Sequence, residues 1–215
     1  AELAGVDAIH PGYGFLAENA QFAAAVRAMG IVFIGPSVDH LQVFGDKLSA
    51  KEAARKAGLP LLKGSDGAVS TFEDAVAAAN NAGYPVMLKA AAGGGGKGMR
   101  VIENKADLEK AFQVAQAEAK AAFGNGDVFI ERFLRKPRHV EVQVAGDGRG
   151  GAVHVGTRDC SLQRRHQKIV EEAPAPFLSA RLRSRIESAA ADLVRSVNYQ
   201  TVGTVEFLVE DQRHY

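Results

Sequence analysis

A glycine run between two strand-like segments constrains this chain more than any other feature. Glycine occupies five of the six positions 93–98, and the flanking segments 86–88 and 99–102 are mostly apolar. Bare backbone is costly to order, so such a run indicates that the main chain closely approaches a ligand. Successive amides can form a nest for phosphate oxygens, and Lys89 and Lys97 add positive charge. The sequence therefore predicts a phosphate-binding hairpin.

Two better-known glycine motifs do not fit this run. Gly93, Gly95 and Gly98 satisfy G-x-G-x-x-G, but strand-like residues follow them, whereas a dinucleotide fingerprint opens a helix. The Walker spacing would require a glycine at Ala91 and a hydroxyl residue at Gly98. What remains is a glycine-rich hairpin over the phosphates of a nucleotide, an arrangement that kinases also use. A flexible surface hairpin is the alternative.

Composition limits the class of protein. The 215 residues, 47% hydrophobic and 24% charged, suffice for one large domain or parts of two. A net charge of +1 gives no electrostatic basis for a nucleic-acid or membrane partner. The single cysteine, Cys160, excludes an internal disulfide framework and fits a reducing compartment. Because the chain begins without methionine and stops just after a strand-like segment, we expect a fragment.

Local signals predict most of the helices and strands. Short strands at 6–9 and 31–34 around a helix over 18–29 indicate the end of a parallel, Rossmann-like sheet. Later helices are predicted from their capping residues: Ser37, Ser49 with Glu52 as a capping box, Thr71, Asn104 and Ser179. In the second half, strands are predicted at 128–131, 139–144, 152–155, 169–171 and 202–209.

Two of these segments carry polar groups that fit a nucleotide. Segment 129–134 is apolar except for the charged pair 131–132, and offers backbone hydrogen bonds to a base and a carboxylate to a ribose. A solvated pair on an edge strand is the alternative. His139, Glu141 and Gln143 alternate with valines, so they share one face of a strand. That face would contact ribose or phosphate, or equally well water.

Segment 158–168 is unusually rich in basic residues. R-D-C-S-L-Q-R-R-H-Q-K has few apolar anchors, and its charge density suits a phosphate or a carboxylate-like substrate. A solvated basic loop is the alternative. Nucleic-acid binding fits poorly, because the total charge is near neutral and aromatic residues are not interleaved. Cys160 and the scattered histidines lack the paired spacing of a zinc site.

Glu206 lies within the apolar segment 204–209. A carboxylate there is costly unless it is paired or binds a metal, and Mg²⁺ takes oxygen ligands while bridging phosphates. The alternative is that Glu206 faces a basic partner such as Lys168, or lies on a wet face. A magnesium site usually needs a second carboxylate, and Glu210 and Asp211 are nearby in sequence.

Together these segments resemble biotin carboxylase, the ATP-grasp component of biotin-dependent carboxylases such as acetyl-CoA or other acyl-CoA carboxylases and pyruvate carboxylase. The resemblance covers essentially the whole chain. It rests on I-H-P-G-Y-G-F-L-A-E-N (9–19), F-I-G-P (33–36), G-D-K (45–47), K-A-A-A-G-G-G-G-K-G-M-R (89–100), R-H-V-E-V-Q-V (138–144), the 158–168 segment and E-E-A-P-A-P (171–176). The central motif is also similar to carbamoyl-phosphate synthetase, whereas the last two favour biotin enzymes. Ala92 stands where the family often has glycine.

The resemblance implies a fold that is α/β and α+β. Residues 1–45 would be the C-terminal part of a Rossmann-like biotin carboxylase N-terminal domain. Residues 46–215 would be a truncated ATP-grasp domain, with a lid at about 62–133 and a palm at 134–215.

The resemblance also implies a ligase mechanism. ATP phosphorylates bicarbonate to carboxyphosphate, whose CO₂ is captured by biotin, and the protein contributes mainly positioning and charge neutralisation. Carried over residue by residue, Lys47 and Lys89 would hold the ATP phosphates, and Gly95 and Gly96 would lie in the lid that covers them. The adenine would be held by Glu131, Arg132, Phe133 and Leu134, the ribose by His139, and further parts of the nucleotide by Gln163 and His166. Lys168 would bind bicarbonate, and Glu206 would bind Mg²⁺ or Mn²⁺. Lys168 and Glu206 would be the catalytic residues.

The implied partners are a biotin carboxyl carrier protein or domain, and a carboxyltransferase that selects the final carboxyl acceptor. We expect the full-length parent to be a homo-oligomer in the cytoplasm, or in the mitochondrial matrix of a eukaryote. Other metal-binding and catalytic residues of the family are expected beyond Tyr215, so the isolated chain is expected to be inactive.

The alternatives to this function are a carbamoyl-phosphate-synthetase-like or other ATP-grasp ligase, and a non-catalytic nucleotide-binding module. A protein kinase is disfavoured because H-R-D and D-F-G are lacking.

Overall fold

The structure is a computed structural model that describes residues 1–90, 99–124, 126–164, 167–211 and 214–215, with the side chains of Lys47 and Phe123 left out. The chain divides into two compact units. One contains residues 1–60, 138–161 and 170–215, and the other contains 61–137 and 162–169. The domain boundaries expected from the sequence stay predictions.

The first unit begins with the predicted β-α-β arrangement. Strand β1 (Ala8–Ile9) pairs in parallel with β2 (Val32–Phe33), and helix α1 (Ala20–Ala28) connects them. Asn19 caps α1 by accepting a hydrogen bond from the amide of Phe22 at 2.8 Å. Short 3-10 helices occupy Glu2–Ala4 and Phe15–Glu18. A small apolar cluster, formed by Ala23, Val26, Ile31 and Phe33, holds this part together.

Of the next two helices, the first begins where the sequence predicted and the second does not. Ser37 caps α2 (Val38–Gly45), as predicted. The predicted capping box of Ser49 and Glu52 is wrong, because α3 (Lys47–Lys56) begins three residues earlier and is capped by Asp46. The Asp46 carboxylate accepts from both the amide and the hydroxyl of Ser49, at 2.8 and 2.7 Å. Glu52 pairs instead with Arg55 at 2.6 Å.

The second unit is a three-stranded antiparallel sheet packed against two helices. Its elements are α4 (Phe72–Ala82), β3 (Val86–Ala90), β4 (Arg100–Ile102), α5 (Lys105–Phe123) and β5 (Val128–Arg132), with strand order β4-β3-β5. Thr71 and Asn104 cap the helices as predicted. Strands β3 and β4 form the predicted hairpin, with Leu88 opposite Arg100. Alternate residues of β3 are buried with both helices in one core, which leaves Met87 and Lys89 on the other face.

The chain then forms a four-stranded sheet, and most residues of this sheet belong to the first unit. It contains β6 (Arg138–Asp147), β7 (Ala152–Arg164), β8 (Gln167–Glu172) and β9 (Gln200–Val209) in the order β8-β7-β6-β9. Strand β6 is antiparallel to both β7 and β9. Helix α6 (Ala180–Ser196) packs on one face against Val140, Val142 and Val144. Ser179 caps α6 as predicted, although Ala190 and Val194 are buried whereas Ala189 and Val197 are only partly buried.

Strand β7 corrects the sequence interpretation most clearly. The prediction ended this strand at Val155 and allowed a basic loop to follow, but β7 continues through the basic segment to Arg164. Charged residues are tolerated here because neighbouring strands supply partners, among them Glu141 for Arg158 and Arg138 for Asp159. Within the described residues, none of the helices has the length and apolar character needed to span a membrane.

Candidate nucleotide-binding residues

Lys89 and Glu131 form an ion pair on adjacent strands of the second unit. The Lys89 ammonium donates a hydrogen bond to Oε2 of Glu131, and the two side chains are 25% and 6% exposed. The same ammonium lies 5.6 Å from the ring centroid of Phe129, within cation–π range. A buried carboxylate requires such a partner. The lysine is therefore held at the end of β3, where the strand leads into the glycine run.

The edge of β5 is covered by the segment that precedes α4. Gly64 packs so closely that a Cβ at this position would lie 2.1 Å from the carbonyl oxygen of Ile130. The amide of Arg132 donates to Lys63 at 2.8 Å, and the amide of Phe133 donates to Pro85 at 2.9 Å. Two amides of the predicted adenine segment are thus used internally.

In the first unit, His139, Glu141 and Gln143 share one face of β6, as predicted. The intervening valines, Val140 and Val142, belong to the core with α6, so the polar side chains point to the opposite face. This face is not simply open to water, because the Glu141 side chain is only 5% exposed. Gln143 donates a hydrogen bond to the carbonyl of Gly203 at 2.8 Å.

Glu206 lies on the same polar face, directly opposite Glu141 in the antiparallel pairing of β9 with β6. It is exposed, whereas Phe207 beside it is buried in the core. This exposure agrees with the alternative that Glu206 lies on a wet face, because strand alternation places it opposite the core, so the apolar neighbours in the sequence do not make its carboxylate costly. The register supplies Glu141 as a second carboxylate. Asp211, considered from the sequence, instead accepts from His214 at 3.0 Å.

Arg158 on β7 binds the polar groups of this face. Its guanidinium donates to Oε1 of Glu141 at 2.6 and 2.5 Å and to Oε1 of Gln143 at 3.0 Å. Oε2 of Glu171 lies 3.9 Å from its Nε. Such charge-assisted bonds fix the orientation of both partners. Arg158 is therefore engaged with carboxylates of the protein itself, in contrast to the anion-binding role that the basic segment suggested.

One group of potential metal ligands occurs among the described residues. Ligand atoms of Glu141, Cys160 and Glu171 lie within 4.8 Å of one another. The guanidinium of Arg158 contacts Glu141 and approaches Glu171 in the same place. A cationic side chain thus already supplies the positive charge that these carboxylates attract.

A second network organises the strand around His139. Asp159 is buried, and its carboxylate accepts from Arg138 at 3.0 Å and from the amide of Ser161 at 2.9 Å. The hydroxyl of Ser161 in turn accepts from the amide of His139 at 3.0 Å. Arg138 also stacks on Phe177, with its guanidinium carbon 4.5 Å from the ring centroid. These contacts fix the backbone at the start of β6.

The structure describes the position and burial of most of the remaining predicted residues. Lys47 is the first residue of α3, and Asp46 before it has a lowered pKa because the Ser49 hydroxyl and amide donate to its carboxylate. Arg132 is exposed, Phe133 is half-buried and Leu134 is buried; Gln163 on β7 and Lys168 on β8 are half-buried. Gly95, Gly96 and His166 lie outside the described residues, and their roles stay predictions.

Sequence reasoning did not single out Asp159 or Ser161, and it assigned Arg158 to the wrong kind of partner. The available signal was the alternation of R-D-C-S with the facing R-H-V-E-V-Q segment, which fits two paired strands. The pairing register decides which residues meet, and register is not determined by either segment alone.

Comparison with known proteins agrees with this fold. A family model described as "Carbamoyl-phosphate synthase L chain, ATP binding domain" matches residues 46–215, and one described as "Biotin carboxylase, N-terminal domain" matches residues 1–41. The chain therefore belongs to this family of ATP-binding domains, and its fold is ATP-grasp. Within that family it groups with the biotin carboxylases and pyruvate carboxylases, as the sequence predicted.

Individual relatives support this placement. The chain is 50% identical over 216 residues to a biotin carboxylase of Pseudomonas aeruginosa, covering 100% of this chain and 48% of the relative. It is 53% identical over 212 residues to a pyruvate carboxylase of Aspergillus terreus, covering 98% and 18%. A biotin carboxylase complex from Campylobacter jejuni superposes with a TM-score of 0.90 at 51% identity, covering 98% and 47%. The biotin carboxylase domain of 2-oxoglutarate carboxylase from Hydrogenobacter thermophilus gives a TM-score of 0.88 at 44% identity, covering 99% and 47%.

The chain thus spans about half the length of the biotin carboxylase relatives and about a fifth of the pyruvate carboxylases.

Proposed function

We propose that this chain is the nucleotide-binding part of a biotin-dependent carboxylase that carries out ATP-dependent carboxylation of biotin. The names of its relatives support this assignment. So do the ligands of two similar structures, a β-γ-ATP complex in the Campylobacter protein and MgADP with bicarbonate in the Hydrogenobacter domain. Because the chain covers about half of such proteins, the activity is assigned to the full-length protein.

The Lys89–Glu131 ion pair is the observation that carries the proposal. The carboxylate is buried while a quarter of the lysine side chain is exposed, so the ammonium is accessible to an anion. The lysine directly precedes the segment that leads into the glycine run, which is rich in amides for phosphate oxygens. Lys89 would hold phosphates of ATP, together with Lys47.

The adenine would lie along residues 131–134. Since the amides of Arg132 and Phe133 already donate within the protein, the base edge would bind other main-chain groups of this segment. Buried Leu134 provides an apolar surface for the ring. His139 would contact the ribose, and the Ser161 hydroxyl that accepts from its amide fixes its position. Gln163 and His166 would make further nucleotide contacts.

The residues present also fit a divalent cation. Glu206 offers an exposed carboxylate, and Mg²⁺ prefers hard oxygen ligands of this kind. When bound, Mg²⁺ or Mn²⁺ neutralises charge on the phosphate oxygens during transfer. Glu206 would hold the ion, Lys168 would orient bicarbonate, and the lysines would orient the phosphates for in-line attack.

In the proposed reaction, a bicarbonate oxygen attacks the terminal phosphorus of ATP and the bond to ADP breaks, which gives carboxyphosphate. Carboxyphosphate then separates into CO₂ and phosphate, the released phosphate takes the proton of a biotin nitrogen, and that nitrogen binds the CO₂. The contribution of the protein is orientation and charge neutralisation.

We further propose that biotin is presented on a carrier protein or domain, and that a separate carboxyltransferase uses the product. Homo-oligomerisation and a cytoplasmic or mitochondrial-matrix location belong to the same proposal.

The test is ADP release by the full-length protein with Mg²⁺ and ATP. We expect hydrolysis to require bicarbonate and to rise on addition of biotin, and Glu206→Gln to raise the Mg²⁺ concentration needed for half-maximal rate. A rate independent of both bicarbonate and biotin contradicts the proposal. Bicarbonate-dependent hydrolysis that responds to ammonia but not to biotin supports a carbamoyl-phosphate-synthetase-like ligase instead.

A further inference from the structure

Three charged residues lie in one line across the sheet of the first unit. Glu141 on β6 is paired directly with Arg158 on β7 and with Glu206 on β9. Directly paired residues of antiparallel strands point to the same face, with Cβ atoms about 5 Å apart. Since neighbouring strands are about 4.8 Å apart, Arg158 and Glu206 flank Glu141 at a backbone separation of about 10 Å.

This arrangement places two carboxylates opposite each other, which is unfavourable unless a cation compensates one of them. Arg158 provides the compensation for Glu141. Its guanidinium makes two short contacts to the same Glu141 oxygen, at 2.6 and 2.5 Å. A third contact, to Gln143 at 3.0 Å, keeps the guanidinium in place.

The guanidinium also occupies the neighbourhood of the other candidate metal ligands. Glu141, Cys160 and Glu171 bring one ligand atom each to within 4.8 Å of the others, a spacing that would suit a divalent ion. Nε of Arg158 lies 2.6 Å from Oε1 of Glu141 and 3.9 Å from Oε2 of Glu171. A fixed positive charge in this position repels a metal ion from the group.

We propose that Arg158 is a positioning residue that determines where the divalent cation binds. By neutralising Glu141 and occupying its surroundings, Arg158 leaves Glu206 as the carboxylate of this line that accepts the cation accompanying the nucleotide. The inference deepens the proposed function and depends on it in one respect, the assignment of Glu206 as a metal ligand.

The experiment counts Mn²⁺ ions bound to the full-length protein by electron paramagnetic resonance, with ADP held at one concentration. Arg158→Met removes the positive charge, and we expect this variant to bind one Mn²⁺ per chain more than wild type. Arg158→Lys retains a positive charge, and Arg158→Met/Glu141→Gln removes the Glu141 carboxylate together with its partner, so both should bind the wild-type number. A folded Arg158→Met variant with wild-type stoichiometry and affinity overturns the inference.

A second variant keeps the inference testable if Arg158→Met does not fold. Glu141→Gln removes one of the two carboxylates near Arg158 and leaves Glu171 at 3.9 Å. The surroundings of Glu206 then become more positive by one charge, so Mn²⁺ binding should weaken roughly 5- to 20-fold for charges about 10 Å apart at an effective dielectric constant of about 20. An unchanged Mn²⁺ affinity in Glu141→Gln overturns the inference.

Glu206→Gln separates this inference from the proposed function. Loss of the nucleotide-associated Mn²⁺ in this variant supports Glu206 as the ligand. If Glu206→Gln binds Mn²⁺ like wild type, the metal assignment in the proposed function fails, whatever Arg158→Met shows. If Glu206→Gln loses the ion while neither Arg158→Met nor Glu141→Gln changes the binding, only the role of Arg158 fails.

Discussion

The ammonium of Lys89 donates a hydrogen bond to the buried carboxylate of Glu131, across the antiparallel pairing of β3 and β5. The sequence assigned these residues to different parts of a nucleotide, the phosphates and the adenine. Their contact means that a substitution of one residue removes a hydrogen-bond and ion-pair partner of the other. We therefore expect substitutions at either position to change both stability and nucleotide binding.

Lys89→Met should lower the free energy of unfolding by about 1–3 kcal/mol, because it removes the Lys89 ammonium from the buried Glu131 carboxylate. The double variant Lys89→Met/Glu131→Gln should recover most of this loss, since no buried charge remains. Urea unfolding of the two variants measures the difference. Equal losses in both would show that the ion pair does not account for the effect.

Gly64→Ala should destabilise the second unit by about 1–3 kcal/mol. A Cβ at this position meets the carbonyl oxygen of Ile130 at 2.1 Å, so the segment must move away from the edge of β5. Gly67→Ala is the matched control, because a Cβ there has nothing within 4 Å. Thermal unfolding compares the two variants, and a Gly67→Ala variant as unstable as Gly64→Ala would contradict the packing at Gly64.

Ser161→Ala removes the acceptor for the amide of His139, so it should cost about 1 kcal/mol of stability and weaken nucleotide binding severalfold. Ser179→Ala, which removes the cap of α6, should also cost about 1 kcal/mol but leave nucleotide affinity unchanged. Calorimetric titration with MgADP distinguishes them. If both variants bind MgADP like wild type, Ser161 does not position His139 for binding.

Asp46 makes stability depend on acid pH. Hydrogen bonds from the Ser49 hydroxyl and amide lower the pKa of Asp46 below its ordinary value of 3.8 in the folded state. A depressed folded pKa means that the stabilisation is present above about pH 4 and is lost as pH falls through the folded value. Asp46→Asn keeps a capping oxygen but does not titrate, so its stability should change less with pH below 4. Identical acid profiles of wild type and Asp46→Asn would contradict this.

Most of the helix starts could be predicted, because a cap is a local property of a few consecutive residues. Ser37, Thr71, Asn104 and Ser179 all cap helices where the sequence indicated. Ser49 failed since two residues compete for the start of α3, and Asp46, three positions earlier, binds Ser49 itself. Choosing between two possible caps requires the path of the preceding chain.

The contacts among the candidate site residues could not be predicted from the sequence. Lys89 and Glu131 were identified separately, while their pairing depends on the register of two strands about forty residues apart in the chain. The same holds for Arg158, which a basic segment suggested as an anion ligand and which the sheet pairs with Glu141. Glu206 was predicted from an apolar context, whereas strand alternation exposes it.

The most direct test of a nucleotide site at Lys89 is the melting temperature of the chain with and without saturating MgADP. At about 100 times Kd, binding should add about 2.7 kcal/mol to the stability of the folded state and raise the melting temperature. The rise should disappear in Lys89→Met and persist in Lys110→Met, which changes an exposed lysine on α5. A cooperative melt that MgADP does not shift, or a shift equal in wild type and Lys89→Met, would contradict a nucleotide site built around Lys89.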